Sequence, residues 1–305
     1  MKNIIWNLNH EVKIAIALAL ILITVISTVK ILSTNKNVDN GKIKVVASFY
    51  PISQLAKYVG GDKVDIITLI PEGSEPHNYE ITPNDISNLK EADVVFINGI
   101  IDKWIYDIDF DRAKIIDLST NLDSANKLKD NLGNIDPHYW QDTNNLIRQA
   151  GVISSKLTML DVANTGAYRL NLIELTNKLE LIKANGQNSM KKCKTDTIIT
   201  YHRAYDYLTK EYALQNFSLL GYEDEGEVSI GSLNQMRTLA KDKQIKYLLV
   251  DPMENIANAT KIAKNSDLEI LTFATLEGSQ NGQTLVDLYQ KNIDTLEKAL
   301  ECKAN

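Results

Sequence analysis

The sequence predicts an α/β fold of two similar lobes, each a parallel sheet flanked by helices, joined by one long connecting helix. Three observations carry that expectation. After residue 42, short continuous apolar runs alternate with stretches of helical periodicity, the pattern of strands buried on both faces. The order of strands and helices in the first half recurs in the second. Between the halves lie two long helical patterns with no strand signal.

In the first half, residues 43–48 read as a strand, 51–59 as a helix and 64–70 as a second strand. Thr82 then caps a helix that runs to about Glu91, with Pro83 at its first position, where the missing N–H is harmless. Residues 93–97 and 114–118 are the third and fourth strands. Two helices follow, over 144–160 and 165–185. Leu172, Leu175, Leu179 and Ile182 share one face of the second, which would be roughly 30 Å long at 1.5 Å per residue. A connector of that kind is stiff and limits how far two lobes can part.

In the second half, 197–201 is a strand, 204–213 a helix and 217–220 a strand. Ser232 is expected to cap a helix to about Lys241. Residues 247–250 and 268–273 are strands, and a final helix over 284–302 shows apolar spacing at Leu285, Leu288, Ile293, Leu296 and Leu300.

The N-terminus differs from all of this. Residues 14–29 are an uninterrupted apolar and small-residue run between Lys13 and Lys30. With both lysines snorkelling outward the run is long enough to span a bilayer. No small-residue cleavage site stands out, so residues 1–32 are expected to be an uncleaved membrane anchor, with a cleaved signal peptide as the alternative. In either case the remainder is exported. Residues 33–42 are polar and unpatterned, a flexible tether. The expected organisation is therefore 1–32 anchor, 33–42 tether, 43–143 first lobe, 144–192 connecting helices and 193–305 second lobe.

Charge narrows the function. The chain of 305 residues has a formal net charge of −6, and residues 1–32 carry three lysines and one glutamate, which leaves −8 on the rest. An acidic exported domain suits capture of a cation and argues against a nucleic-acid partner. No phosphate-binding glycine loop, zinc-protease helix motif or nucleophile elbow is present, so neither a nucleotide cofactor nor those chemistries are expected. Asp107, Asp109 and Asp111 resemble the start of a calcium loop, but Arg112 stands where glycine is required.

The chain has only four histidines, and His10 precedes the apolar run. His77 follows the second strand, His138 lies in a turn-rich IDPHYW, and His202 directly follows the strand TIITY. In open α/β sheets ligands bind beyond the carboxyl ends of strands, which puts His77 and His202 on the binding side. Glu277, just past the last strand, has the same placement, and Asp251 in VDP is the competing carboxylate. Three imidazoles and a carboxylate, two from each lobe, would make a tetrahedral metal site in the cleft.

Three segments carry a resemblance. SEPHNYEITPNDI (74–86), DPHYW (136–140) and ITYHRAYDYL (199–208) are similar to the metal-binding motifs of the zinc and manganese solute-binding proteins of ABC importers, in matching order from about residue 42 to 300. The resemblance implies two rigid lobes joined by a long helix, with His77, His138, His202 and Glu277 as ligands. It also implies a monomeric receptor that works with an ABC permease and a separate ATPase subunit. One departure is plain: the stretch 121–134, which in many zinc members is a histidine-rich loop, has no histidine here.

Three neutral imidazoles and one carboxylate suit four-coordinate Zn²⁺, whereas Mn²⁺ favours more oxygen ligands. Zinc is therefore expected, with manganese or iron as the alternative. A zinc metallohydrolase is a further alternative, but catalysis needs an open coordination position that Glu277 would fill. Cys193 and Cys302 either form a disulfide across the second lobe or remain two thiols.

Overall fold

Two four-stranded parallel sheets of identical strand order organise the computed structural model, which describes residues 41–72, 74–122, 127–130, 133–222, 227–279 and 282–303. The apolar N-terminal run and all but the last two residues of the expected tether lie outside the described residues. The first half contains β1 (Ile43–Ala47), α1 (Tyr50–Gly60), β2 (Val64–Thr68), α2 (Pro83–Glu91), β3 (Val94–Ile97) and β4 (Ile115–Asp117), with sheet order β2-β1-β3-β4. Then come the helices α3 (Thr143–Leu160) and α4 (Thr165–Met190). The second half repeats the plan as β5 (Thr197–Thr200), α5 (Asp206–Glu211), β6 (Gln215–Ser218), α6 (Ile230–Lys243), β7 (Tyr247–Val250), α7 (Ile256–Lys264), β8 (Glu269–Thr272) and α8 (Leu285–Ala299), in order β6-β5-β7-β8. All strand pairs are parallel, and the register starts at Ile43↔Val64 in one sheet and Thr197↔Gln215 in the other.

Local chemistry accounts for the boundaries. Thr82 caps α2 in a reciprocal box with Asp85, and Thr284 does the same for α8 with Asp287. The cap of α6 is Ser229, not the expected Ser232: its hydroxyl accepts the Ser232 N–H at 3.0 Å, so the helix begins three residues earlier. Strand β6 begins two residues earlier than expected because Gln215 pairs with Thr197. Helix α5 is shorter than its pattern, ended by Ala213 at φ +54°. Helix α7, capped by Asn255, had no counterpart in the sequence reading.

The connecting helix α4 is 26 residues, or about 39 Å at 1.5 Å per residue. Its buried side, Tyr168, Leu175, Leu179, Ile182 and Gly186, joins a core cluster that also holds Val45 and Phe96 of the first sheet and Ile198 and Leu249 of the second. One continuous core thus runs through both halves. Gly186 is required there, since a Cβ would lie 2.7 Å from the Tyr212 ring. Polar ties reinforce the packing: Tyr50 Oη donates to the Gln283 carbonyl at 2.7 Å and Tyr289 Oη to that of Gln141 at 2.9 Å.

Cys193 and Cys302 are paired, so the disulfide joins the chain ahead of β5 to the end of α8 across a separation of 109 residues. Reducing the bridge, or replacing both cysteines by serine, is expected to lower stability by about 3–5 kcal/mol. A urea titration should show it as a lower midpoint and a steeper slope, because the unfolded chain expands.

Candidate metal centre

Each half delivers its site residues from the carboxyl ends of its strands. His77 sits in a 3₁₀ turn, Pro76–Asn78, after β2, and Glu75 accepts its N–H at 3.2 Å. His202 follows β5 by two residues. His138 precedes the 3₁₀ turn Tyr139–Gln141, and Asn98, just beyond β3, ties the segment to the first sheet by donating from Nδ2 to the Pro137 carbonyl at 3.3 Å. Glu277 lies beyond β8, after Leu276, which is fully buried yet held at φ +65°. A bulky residue in that left-handed region is a strained conformation that only surrounding packing sustains.

The structure brings the three histidines together, with their candidate ligand atoms all within 4.8 Å of one another. His138 is central: its Nε2 is 3.4 Å from Nε2 of His77 and 3.3 Å from Nε2 of His202. Glu277 stands beside them, Oε1 3.7 Å from His138 Nε2. His138, His202 and Glu277 are buried and His77 is half-buried, so the cluster opens on the His77 side. There a cavity of about 520 Å³ is lined by Ile100, Ile101, Pro137 and Tyr222 among others. Three imidazoles gathered this closely are a donor set that a cation could share. The edge of a tetrahedron around a metal with 2.0–2.1 Å metal–nitrogen bonds is ~3.3–3.4 Å.

Asp136 is the functional residue that sequence reading missed. It is fully buried, and Oδ1 accepts both the backbone N–H of His138 at 2.9 Å and its ring Nδ1–H at 2.8 Å. That pairing fixes the tautomer and turns the Nε2 lone pair toward His77 and His202, as outer partners do for metal-bound histidines. Burial pushes the Asp136 carboxyl well above its ordinary range, while the His138 N–H and the positive charge of Arg203 pull it back. The available signal was its place two residues before a histidine, where an Asx turn returns the side chain to the backbone.

Asp251, the competing carboxylate, has a different role. It accepts from the Thr275 amide, from Thr275 Oγ1 at 2.9 Å and from the Met253 amide at 2.6 Å. Burial raises its pKa and these amide donors lower it. Asp251 therefore holds the turn that presents Glu277, whose Oε2 accepts from Thr275 Oγ1 at 3.1 Å. The same Thr275 offers its carbonyl to Trp140 Nε1 at 2.9 Å and to Gln141 Nε2. Consequently the segment bearing His138 and the turn bearing Glu277 are bonded to one atom.

The chain is similar to known proteins over most of its length. The family model described as the periplasmic zinc-uptake complex component A matches residues 45–299. The high-affinity zinc uptake system protein ZnuA of Bacillus subtilis is 27% identical over 295 residues, covering 89% of this chain and 92% of that protein. The manganese ABC transporter substrate-binding lipoprotein PsaA of Streptococcus pneumoniae is 26% identical over 306 residues, covering 93% and 97%. Among solved structures, the laminin-binding protein of Streptococcus agalactiae, a bifunctional protein with adhesin and metal-transporting activity, aligns with a TM-score of 0.78 at 25% identity over 85% of this chain and 99% of that one. The AdcAII protein of S. pneumoniae gives 0.78 at 25% identity over 86% and 100%.

Asp136→Asn is expected to lower affinity for a divalent metal by about 10–100-fold, since it frees the His138 ring to turn and to change tautomer. Competition against a chromogenic chelator reads the loss, and an unchanged urea midpoint separates it from unfolding.

Proposed function

The chain belongs to the zinc-uptake component A family, the metal-binding solute-binding proteins of ABC importers, and from that membership we propose that it is an extracytoplasmic zinc receptor. In this reading His77, His138, His202 and Glu277 ligate one Zn²⁺, which the monomeric receptor hands to an ABC permease driven by a separate ATPase subunit. The ion is cargo, not a resident cofactor.

The observation that carries the reading is the Nε2 spacing of 3.3–3.4 Å around His138. It equals the edge of a tetrahedral site at zinc–nitrogen distance. The named relatives divide between zinc and manganese at nearly equal identity, so the support for zinc comes from the proposed donor set. Three imidazoles and one carboxylate favour zinc, and manganese or iron would gain from a second carboxylate. Asp251 is the nearby candidate for that part, and its oxygens serve Thr275 and Met253. A hydrolase would hold a water at the fourth position. Glu277 beside His138 closes that position and favours a receptor over an enzyme.

Titration of the metal-free chain with Zn²⁺, Mn²⁺ and Fe²⁺ in competition is the test. One tight zinc per chain, weaker manganese and iron, and a clear loss in Glu277→Ala are the expected results. Zinc at 1,000 times its dissociation constant should also stabilise the fold by about 4 kcal/mol, visible as a raised melting temperature. Tighter manganese, or full zinc affinity in Glu277→Ala, would overturn the ligand set.

A further inference from the structure

Glu211 carries a carboxyl outside the histidine cluster, with only 2% of its side chain exposed. It ends α5, the helix that follows His202. Thr143, the first residue of α3, donates to it from Oγ1 and, at 3.3 Å, from its amide. Tyr289 Oη of α8 lies 2.8 Å from Glu211 Oε2 and 2.9 Å from the Gln141 carbonyl. That phenol is fully buried, and burial pushes its pKa well above the ordinary range, so it keeps its proton. One O–H thus stands between two oxygens and points along only one of them. A carboxylate has no proton to add. A carboxylic acid supplies the missing one: Oε2–H donates to Tyr289 Oη, Tyr289 donates to Gln141, and Oε1 still accepts the Thr143 hydroxyl. Each of these oxygens then has a partner, as buried polar groups require.

The charges facing Glu211 favour the same state. Removal from water is the largest influence on its carboxyl, and Asp142, the cap of α3, adds a like charge. Against them stand the Thr143 and Tyr289 hydroxyls and the Lys183 ammonium of α4 at 3.8 Å. That ammonium is beyond hydrogen-bond distance and donates to Asn144 Oδ1 at 2.7 Å. Tyr212, next in the chain, is a second buried phenol whose pKa burial raises.

These bonds lead to the metal centre. The Gln141 amide donates to the His138 carbonyl at 3.1 Å and closes the turn that carries this histidine. We propose that Glu211 is a positioning residue of the metal centre and acts as a neutral acid, its hydrogen bond to Tyr289 freeing that phenol to hold Gln141 and, with it, the backbone of His138. Ionisation turns the phenol back to Glu211 and releases the Gln141 carbonyl. The effect on metal rests on the zinc-receptor reading, whereas the proton on Glu211 does not.

Infrared difference spectra of the metal-free full chain against Glu211→Gln read that proton. Asp102, Asp136 and Asp251 are also buried, so the carboxylic-acid C=O band is assigned by its loss in Glu211→Gln and by its shift in Tyr289→Phe, which removes its acceptor. Both changes are expected at neutral pH. Stability supplies a second readout. Unfolded glutamate ionises at about pH 4.3, and above that the folded wild type holds one more proton, so its stability falls as pH rises, by up to about tenfold in the folding constant per unit. Glu211→Gln lacks this slope, and its urea midpoint should gain on that of the wild type between about pH 5 and about pH 7.

At the metal centre, Tyr289→Phe and Glu211→Leu are each expected to weaken zinc by about 3–10-fold, since the Gln141 carbonyl loses its donor or that donor loses its partner. Glu211→Gln, whose amide N–H donates to Tyr289, should restore the affinity lost in Glu211→Leu. No acid band assignable to Glu211 at neutral pH overturns the proposal while leaving the receptor intact, and so does a Glu211→Gln chain that loses as much zinc affinity as Glu211→Leu. Wild-type zinc affinity in Tyr289→Phe overturns the positioning role. A wild-type chain that binds no zinc overturns the receptor reading and the positioning role with it, and the infrared band still decides the proton.

Discussion

The carbonyl of Thr275 is the point on which the site depends. It takes N–H groups from Trp140 and Gln141, both buried, and the turn it belongs to is anchored through Asp251. His138 stands two residues before Trp140, and Glu277 two residues after Thr275. Two of the four groups, His138 and Glu277, are thereby held in register by one acceptor atom although they lie far apart in sequence. Metal affinity requires distances held to a few tenths of an ångström, and separate lobes linked by a flexible hinge would not hold them. Because the groups are buried and mutually bonded, breaking one leaves others without partners, which makes the arrangement cooperative.

The scaffold behind that point is correspondingly stiff. Helix α4 buries its apolar side in a core shared by both sheets, and Glu211 gathers Thr143 from α3, Tyr289 from α8 and the Lys183 ammonium at 3.8 Å. Burial raises the Glu211 pKa, and the hydroxyl donors oppose the shift. Large relative motion of the two halves would have to break that core. The exposed edge of the histidine cluster is built differently: His77 sits on a short 3₁₀ turn and not on a long helix or a strand.

The two ends of the molecule then have different chemistry. Strand carboxyl ends gather imidazoles, carboxylates and a polar mouth, as parallel sheets generally do at their switch points. The amino-terminal ends of β1 and β2 carry none of these groups and are tied to α4 instead, by Asn171 Nδ2 donating to the Val59 carbonyl at 3.0 Å.

Much of this was legible in the sequence. Apolar runs, the Thr82-Pro83 and Thr284 caps and the i, i+3, i+4 spacing of α4 are local, and local rules read them; so the two-lobed α/β plan and the helical connector followed directly. The three histidines stood out because so few exist in the chain and because strand ends and motifs framed them. Short elements were less legible, since α7 and the ends of α5 and β6 are set by neighbours in space and not by their own pattern. The roles of the carboxylates were decided only by tertiary structure. Asp136, Asp251 and Glu277 look alike in sequence, each an acid next to a turn. Whether such a group orients a histidine, braces a loop or stands beside the histidine cluster depends on which donors lie near it, and burial enforces that choice because a carboxylate out of water must be paired. The disulfide belongs to the same class: sequence offered two cysteines, and only the meeting of the β5 entry with the end of α8 made them a bond.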